Sequence, residues 1–212
     1  PEEAILLDCP PDILFKLKRT GYQPGEVRYI LLSHLHGDHI LGVPFILLHN
    51  RFRDGSPKIL VRRGGGSLIR RVTSMVYPEI GEEWLSQVDI EEIDPGRYTI
   101  EDFTLEVMET EHIIPNYSFR VEVRDKVVTY SGDTGTDIAE FALGSDLLIH
   151  EASAKEDGTR IHASPREALN VFHKSRSKKM ALVHVYQGIE KEVEKISDAR
   201  IILPSDLESI EI

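Results

Sequence analysis

The chain has 212 residues, 41% hydrophobic and 29% charged, a composition that supports one sizeable buried core and excludes a disordered polymer. No apolar run approaches the length of a membrane-spanning helix, and the most apolar stretch, residues 40–48, is interrupted by Pro44. The formal net charge of −11 disfavours a general affinity for phosphate backbones, so neither a DNA nor a membrane partner is expected.

Cys9 is the only cysteine, which rules out an internal disulfide and points to a reducing cytoplasm. Any metal site must then rest on histidines and carboxylates, which suit zinc, manganese or iron. No signal peptide is visible, and the absence of an initial Met suggests a processed or trimmed chain. Two basic clusters stand out: Arg51, Arg53, Lys58, Arg62, Arg63, Arg70 and Arg71, then Arg166, Lys174, Arg176, Lys178 and Lys179. The plain reading is two solvated faces, and the sharper one a phosphate-binding rim.

Residues 3–8 read as a short buried strand ending in Asp8-Cys9-Pro10, and residues 11–20 as a helix stopped by Gly21. Residues 28–33 are a strand that runs into His34-Leu35-His36-Gly37-Asp38-His39. A helix follows over residues 39–50, then a turn at Asp54-Gly55 and a strand at 58–61. The run Gly64-Gly65-Gly66-Ser67 opens another helix with Ser67 as N-cap. Residues 78–100 are acidic and less regular. Residues 103–108, 119–123 and 127–130 look like a meander, with Asp125 and Lys126 at a hairpin turn. A strand at 147–150, a helix from the capping box Ser164-Pro165-Arg166-Glu167 to about Lys174, and a strand at 181–184 come next. A Glu/Lys-rich helix and a last strand at 201–203 close the chain. This order implies two sheets with helices outside, an α/β sandwich in a single domain.

His34, His36, Asp38 and His39 place four potential ligands within six residues at the end of a strand. Alternation puts His34 and His36 on one side of an extended chain, and Gly37 turns Asp38 and His39 toward a second position, which suits two metals. His112, Asp133 and His184 supply further ligands, each at or just beyond a predicted strand end. A pair of divalent cations lowers the pKa of a shared water, giving a bridging hydroxide able to attack phosphorus or an acyl carbon.

These segments, with Thr110-Glu111-His112, Ser131-Gly132-Asp133-Thr134-Gly135, His150-Glu151-Ala152-Ser153, His162-Ala163-Ser164 and Leu182-Val183-His184, make the chain resemble the metallo-β-lactamase superfamily and, within it, the ribonuclease Z-like branch. The resemblance implies a four-layered αβ/βα sandwich. It implies that His34, His36 and His112 bind one metal, that Asp38, His39 and His184 bind the other, and that Asp133 bridges them. Asp38 is thus both a ligand and a catalytic candidate. His162 and Glu151 are the candidate proton donor pair for a leaving alkoxide. Asp8 is a candidate acceptor for a ligating imidazole, and His150 a candidate supporting residue. Two metals, zinc before manganese or iron, and a homodimer are further implications.

Enzymes of that branch that process transfer RNA carry an arm between the positions matching His112 and Asp133. The predicted hairpin fills that interval here, which points to a small phosphodiester or an RNA 3′ end. Asp8-Cys9-Pro10 also departs from the Asp-Cys-Gly usual at this place, and the strands that commonly precede it are missing. Two other readings compete: a lactone, carboxyl-ester or thioester hydrolase of the same superfamily, and a non-catalytic metal- or RNA-binding module.

Overall fold

A computed structural model describes residues 4–51, 56–101, 103–155, 159–186, 188–189, 193 and 198–212. The chain divides into two compact units, Pro1–Asp94 and Pro95–Ile212.

The first unit alternates strand and helix: β1 (Ala4–Leu7), α1 (Ile13–Thr20), β2 (Val27–Leu31), α2 (Gly37–Ile40), α3 (Val43–Asn50), β3 (Lys58–Arg62), α4 (Gly65–Val76), α5 (Glu82–Gln87) and β4 (Ile90–Ile93). Its four strands pair in parallel in the order β1-β2-β3-β4. A parallel strand covered on both faces reads as an unbroken apolar run, and the fully buried Ile30, Leu31 and Leu32, with Ile59, Leu60 and Val61, are such runs. Ile13 and Leu17 of α1 and Ile46 and Leu47 of α3 join the same core, with Trp84 packed partly buried against it.

Three local expectations are corrected here. The single helix expected over residues 39–50 is two helices, α2 and α3. A Cβ at Gly42 would overlap the carbonyl oxygen of Pro10, and Gly42 N–H donates to Cys9 O at 2.8 Å. The chain is therefore pinned there against the loop after β1, and Pro44 restarts the helix within its first turn. Ser67 is not the N-cap of α4: Gly64 holds that place, and the Ser67 hydroxyl donates to Gly64 O at 2.9 Å from inside the first turn. Residues 78–100, expected to be less regular, contain α5, β4 and the first strand of the second unit. The turn expected at Asp54-Gly55 lies outside the described residues.

The second unit contains β5 (Gly96–Ile100), β6 (Phe103–Thr110), β7 (Asn116–Val123), β8 (Lys126–Tyr130), β9 (Leu147–Glu151), α6 (Pro165–Ser175), β10 (Lys179–Val183) and β11 (Ile201–Ile202). Its seven-stranded sheet has the order β11-β10-β9-β8-β7-β6-β5. Pairing is antiparallel from β5 to β8, as expected of a meander, and parallel from β8 to β11. The hairpin turn sits at Arg124 and Asp125, one residue earlier than expected, because Lys126 already pairs with Val123 and Arg124 takes the positive φ of 57°. The capping box of α6 is as predicted: Ser164 N–H donates to Glu167 Oε2 at 2.8 Å, and Glu167 N–H to Ser164 Oγ at 3.3 Å. Ala168, Val171 and Phe172 of that helix share a core with Leu148, Met180 and Leu182. The Glu/Lys-rich helix expected after His184 lies mostly outside the described residues, where Ile189 and Val193 are seen, both buried in this core.

Among the described residues no helix is long and apolar enough to cross a membrane. Four cations of the basic clusters meet acidic partners. Lys58 meets Glu91 at 2.6 Å, and Arg63 forks onto Asp94 at 2.5 to 2.9 Å. Lys174 meets Asp137 and Lys178 meets Asp146, both at 2.7 Å. The solvated-face reading therefore fits these cations better than a phosphate-binding rim. Arg53 lies outside the described residues.

Candidate metal centre

Each unit presents its own set of donors at the ends of its strands. In the first unit β2 delivers Ser33, His34 and His36, and α2 carries Asp38 and His39. Asp8, just past β1 at a left-handed φ of 64°, organises them. Its Oδ1 accepts Ser33 N–H at 2.7 Å, and its Oδ2 accepts both the Ser33 hydroxyl and His39 Nδ1 at 2.7 Å. A carboxylate only accepts, so His39 carries its proton on Nδ1 and its lone pair on Nε2. The Ser33 hydroxyl spends its proton on Asp8, and its oxygen therefore accepts from His34 Nδ1 at 3.0 Å, which puts the His34 lone pair on Nε2 as well.

His34 Nε2 and His36 Nδ1 lie 2.9 Å apart. Two nitrogens bound to one tetrahedral ion at 2.0–2.1 Å would be about 3.3 Å apart, so the pair is close to the spacing a cation needs. Asp38 Oδ2 stands 3.5 Å from His39 Nε2, on a side chain that is 63% exposed. The expectation of Asp8 as an acceptor for an imidazole agrees with its contact to His39. Ser33, which relays it to His34, was not foreseen. Burial beside Asp8 pushes the Cys9 thiol far up, so this cysteine is a packing group and not a thiolate ligand.

In the second unit His112 follows β6, Asp133 follows β8, His184 follows β10, and His162 lies on the loop before α6. His112 Nδ1 donates to Ile161 O at 2.9 Å, which leaves the lone pair on Nε2. Asp133 is set by Asn116, whose Oδ1 accepts Asp133 N–H at 3.2 Å while its Nδ2 donates to Thr110 Oγ1 at 2.8 Å and to Ser131 O at 3.0 Å. His184 takes a left-handed φ of 53° immediately after β10, a conformation that costs about 1–3 kcal/mol for a non-glycine residue and is found preferentially at functional sites. Its Nδ1 lies 3.5 Å from Asp133 Oδ2. Donor atoms of His112, Asp133 and His162 all fall within 4.8 Å of one another, as do those of Glu151, His162 and His184. The donor chemistry of both units, imidazole lone pairs and carboxylates without thiolates, fits a divalent metal.

Glu151 is fully buried and accepts at both oxygens. Oε1 takes His162 Nδ1 and Thr134 N–H at 2.9 Å and Ala163 N–H at 3.2 Å. Oε2 takes Ser153 N–H at 2.9 Å and the Ser153 hydroxyl at 2.7 Å. This number of donors suits an anion, and it fixes the His162 ring with Nε2 as the atom that can carry and release a proton. The loop holding His162 rests on Gly135, where a Cβ would overlap the carbonyl oxygen of Thr159.

His150 is placed apart from this cluster. It is fully buried, donates from Nδ1 to Glu151 O at 2.7 Å, and lines a small cavity of about 180 Å³ with Asp137, Glu167 and Lys174. Burial lowers its pKa, outweighing the nearby carboxylates. A depressed native value means that the unfolded chain takes up this proton first as pH falls. Its contribution is therefore complete above about pH 6.5 and declines from there toward the lower native pKa. In chelator-treated protein, urea unfolding between about pH 5 and 7 should show a flatter pH dependence for His150→Gln than for the unchanged chain. Equal slopes would contradict that placement.

The chain is similar to known proteins over nearly its whole length. It is 23% identical over 261 aligned positions to a ribonuclease Z of Geobacillus kaustophilus, covering 94% of this chain and 84% of that protein. The crystal structure of the short form of human tRNase Z superposes with a TM-score of 0.78 at 22% identity, covering 99% of this chain and 89% of the other. The metallo-β-lactamase fold protein YhfI from Bacillus subtilis gives 0.75 at 20% identity, covering 95% and 83%. The fold expected from the sequence, that of the metallo-β-lactamase superfamily in its ribonuclease Z-like branch, is thus the fold of this protein. Within that branch a narrower family accounts for almost the entire chain: residues 1–206 match the model described as Anti-Pycsar protein Apyc1, and the chain belongs to that family.

Proposed function

We propose that this protein is a dinuclear metal-dependent phosphodiesterase built as a single domain. In this reading His34, His36 and His112 hold one divalent ion, Asp38, His39 and His184 the other, and Asp133 bridges them. Zinc suits the donor set best, with manganese or iron as substitutes. Two such ions supply a nucleophilic water at neutral pH and countercharge for the phosphoryl oxygens. Asp8 and the Ile161 carbonyl hold His39 and His112 in the tautomers that ligation requires. His162 hands a proton from Nε2 to the departing oxygen, and buried Glu151 keeps the ring oriented and stabilises its charged form.

The observation that carries the phosphodiester reading is this His162–Glu151 pair at 2.9 Å, an acid built beside the donor cluster. The relatives named ribonuclease Z fit an RNA 3′ end. The short interval from His112 to Asp133 and the net charge of −11 favour a small phosphodiester, and with it we extend to this chain the anti-Pycsar role by which its family is described. The buried lone Cys9 fits a cytoplasmic setting, and a homodimer is the assembly proposed.

The test is hydrolysis of bis(p-nitrophenyl) phosphate, a cyclic mononucleotide and a short RNA by metal-loaded protein, set against a lactone and a thioester. Turnover of phosphodiesters that His162→Ala impairs is expected. Turnover of the lactone or thioester alone would overturn the proposal.

A further inference from the structure

His150 lines a small cavity in the second unit that nothing in the chemistry above uses. The ring is fully buried, and its Nδ1 donates to Glu151 O at 2.7 Å. A carbonyl only accepts, so Nδ1 carries the proton and Nε2 a lone pair. Nε2 is therefore the polar atom this ring offers the cavity, and it has no hydrogen-bond partner among the described residues. Buried polar atoms are nearly always paired, so an acceptor left over at a cavity wall marks a place for a donor from outside the chain. The cavity holds about 180 Å³, more than one water needs and less than a drug-sized ligand fills. None of its described lining residues is a candidate metal ligand.

The other walls decide what kind of donor fits. Asp137 and Glu167 bring carboxylates, both close enough to His150 to act on its charge. The α6 cap uses Glu167 Oε2, for Ser164 N–H at 2.8 Å and the Ser164 hydroxyl at 2.9 Å, and leaves Oε1 outside it. Lys174, the cation among the described lining residues, already rests its ammonium on Asp137 at 2.7 Å. With His150 neutral the lining is net negative and offers Nε2 and two carboxylates as acceptors. A cation that carries N–H donors matches it. A hard cation takes oxygen ligands and would leave the imidazole unserved. A transition ion needs donors drawn together, and His150 belongs to none of the donor groups that fall within 4.8 Å of one another among the described residues. The buried Ala163 and Val171 add an apolar side to the cavity.

We propose that this cavity binds a small primary alkylammonium ion, which donates one N–H to His150 Nε2 and others to Glu167 and Asp137 while its alkyl stem lies along Ala163 and Val171. Asp137 then exchanges the Lys174 ammonium for that of the ligand, and the lysine side chain, 62% exposed, withdraws to solvent. The site does not depend on the catalytic reading. It does adjoin the acid: Ala163 N–H donates to Glu151 Oε1 at 3.2 Å, so an occupant packs against the segment that carries His162.

The probe is ethylammonium chloride, titrated into metal-loaded protein whose histidine ring nitrogens are isotopically labelled. The His150 Nε2 resonance is read by NMR, with sodium chloride and tetramethylammonium chloride at equal ionic strength as controls. Ethylammonium should move that resonance upfield to saturation at millimolar concentration, because the lone pair gains a hydrogen bond. Tetramethylammonium, which has the charge and no N–H, should leave it in place. Glu167→Gln, which keeps the α6 cap, should weaken ethylammonium about tenfold through the loss of one charge-assisted contact. Asp137→Asn should weaken it as well. No saturable shift with ethylammonium, an equal shift with tetramethylammonium or sodium, or unchanged affinity in both variants would overturn the site. A resonance moved instead by excess zinc would overturn the ammonium ligand in favour of a metal at the same imidazole.

Discussion

Asp133→Ala should lower kcat/KM toward any phosphodiester by about a thousandfold, equivalent to ~4 kcal/mol of lost transition-state stabilisation. The size follows from its assigned place: a residue that bridges two cations fixes their separation, so its removal disables both and not one alone. The fold should survive, because Asp133 N–H is held by Asn116 through the backbone and Asn116 keeps its bonds to Thr110 and Ser131 whatever side chain stands at 133. The thermal transition of metal-free Asp133→Ala should therefore stay near that of the metal-free unchanged chain. A variant that binds both ions and retains most of its activity would show that the bridge is misassigned.

His162→Ala should have the second largest effect, a loss of about 10²–10⁴ in kcat on a substrate with a poor alkoxide leaving group. The loss should be smaller with bis(p-nitrophenyl) phosphate, whose leaving group needs less help from an acid. Glu151→Gln should fall between, since it keeps the volume but weakens the hold on the charged ring. It would also disturb Thr134, Ala163 and Ser153, all of which donate to the same carboxylate. Equal losses on activated and unactivated substrates would mean that His162 is a structural or ligating residue and not the acid.

The parts of this molecule that could be read from the sequence are those with local causes. The buried runs of β2, β3 and β9 stand out because a parallel strand hides both faces, and the Ser164–Glu167 box announces α6 because its two bonds lie within one turn. The run of candidate donors at residues 34–39 is equally local. What escaped depends on distant partners. The break between α2 and α3 is imposed by the Pro10 carbonyl against Gly42, which no window around residue 42 reveals. β4 reads Ile-Glu-Glu-Ile and β5 is mostly exposed, so neither shows an apolar period; they are strands because β3 and β6 offer edges to pair with. Among the candidate donors, Asp8 was legible as an acceptor for an imidazole, but the other groups that position these side chains were not. Ser33, Asn116 and the Ile161 carbonyl are ordinary groups made specific by where the fold brings them. The basic clusters left two readings open in the sequence, and Asp94, 31 positions from Arg63 and forked onto it, favours the solvated face there.

The most direct test of the account is the metal content of the purified, dialysed chain, measured by inductively coupled plasma mass spectrometry alongside phosphodiesterase activity during zinc titration of chelator-treated protein. Activity should return with zinc and saturate at two ions per chain, and at fewer in His112→Ala or His184→Ala. Full activity in the metal-free chain, or saturation at two ions that neither substitution changes, would contradict it.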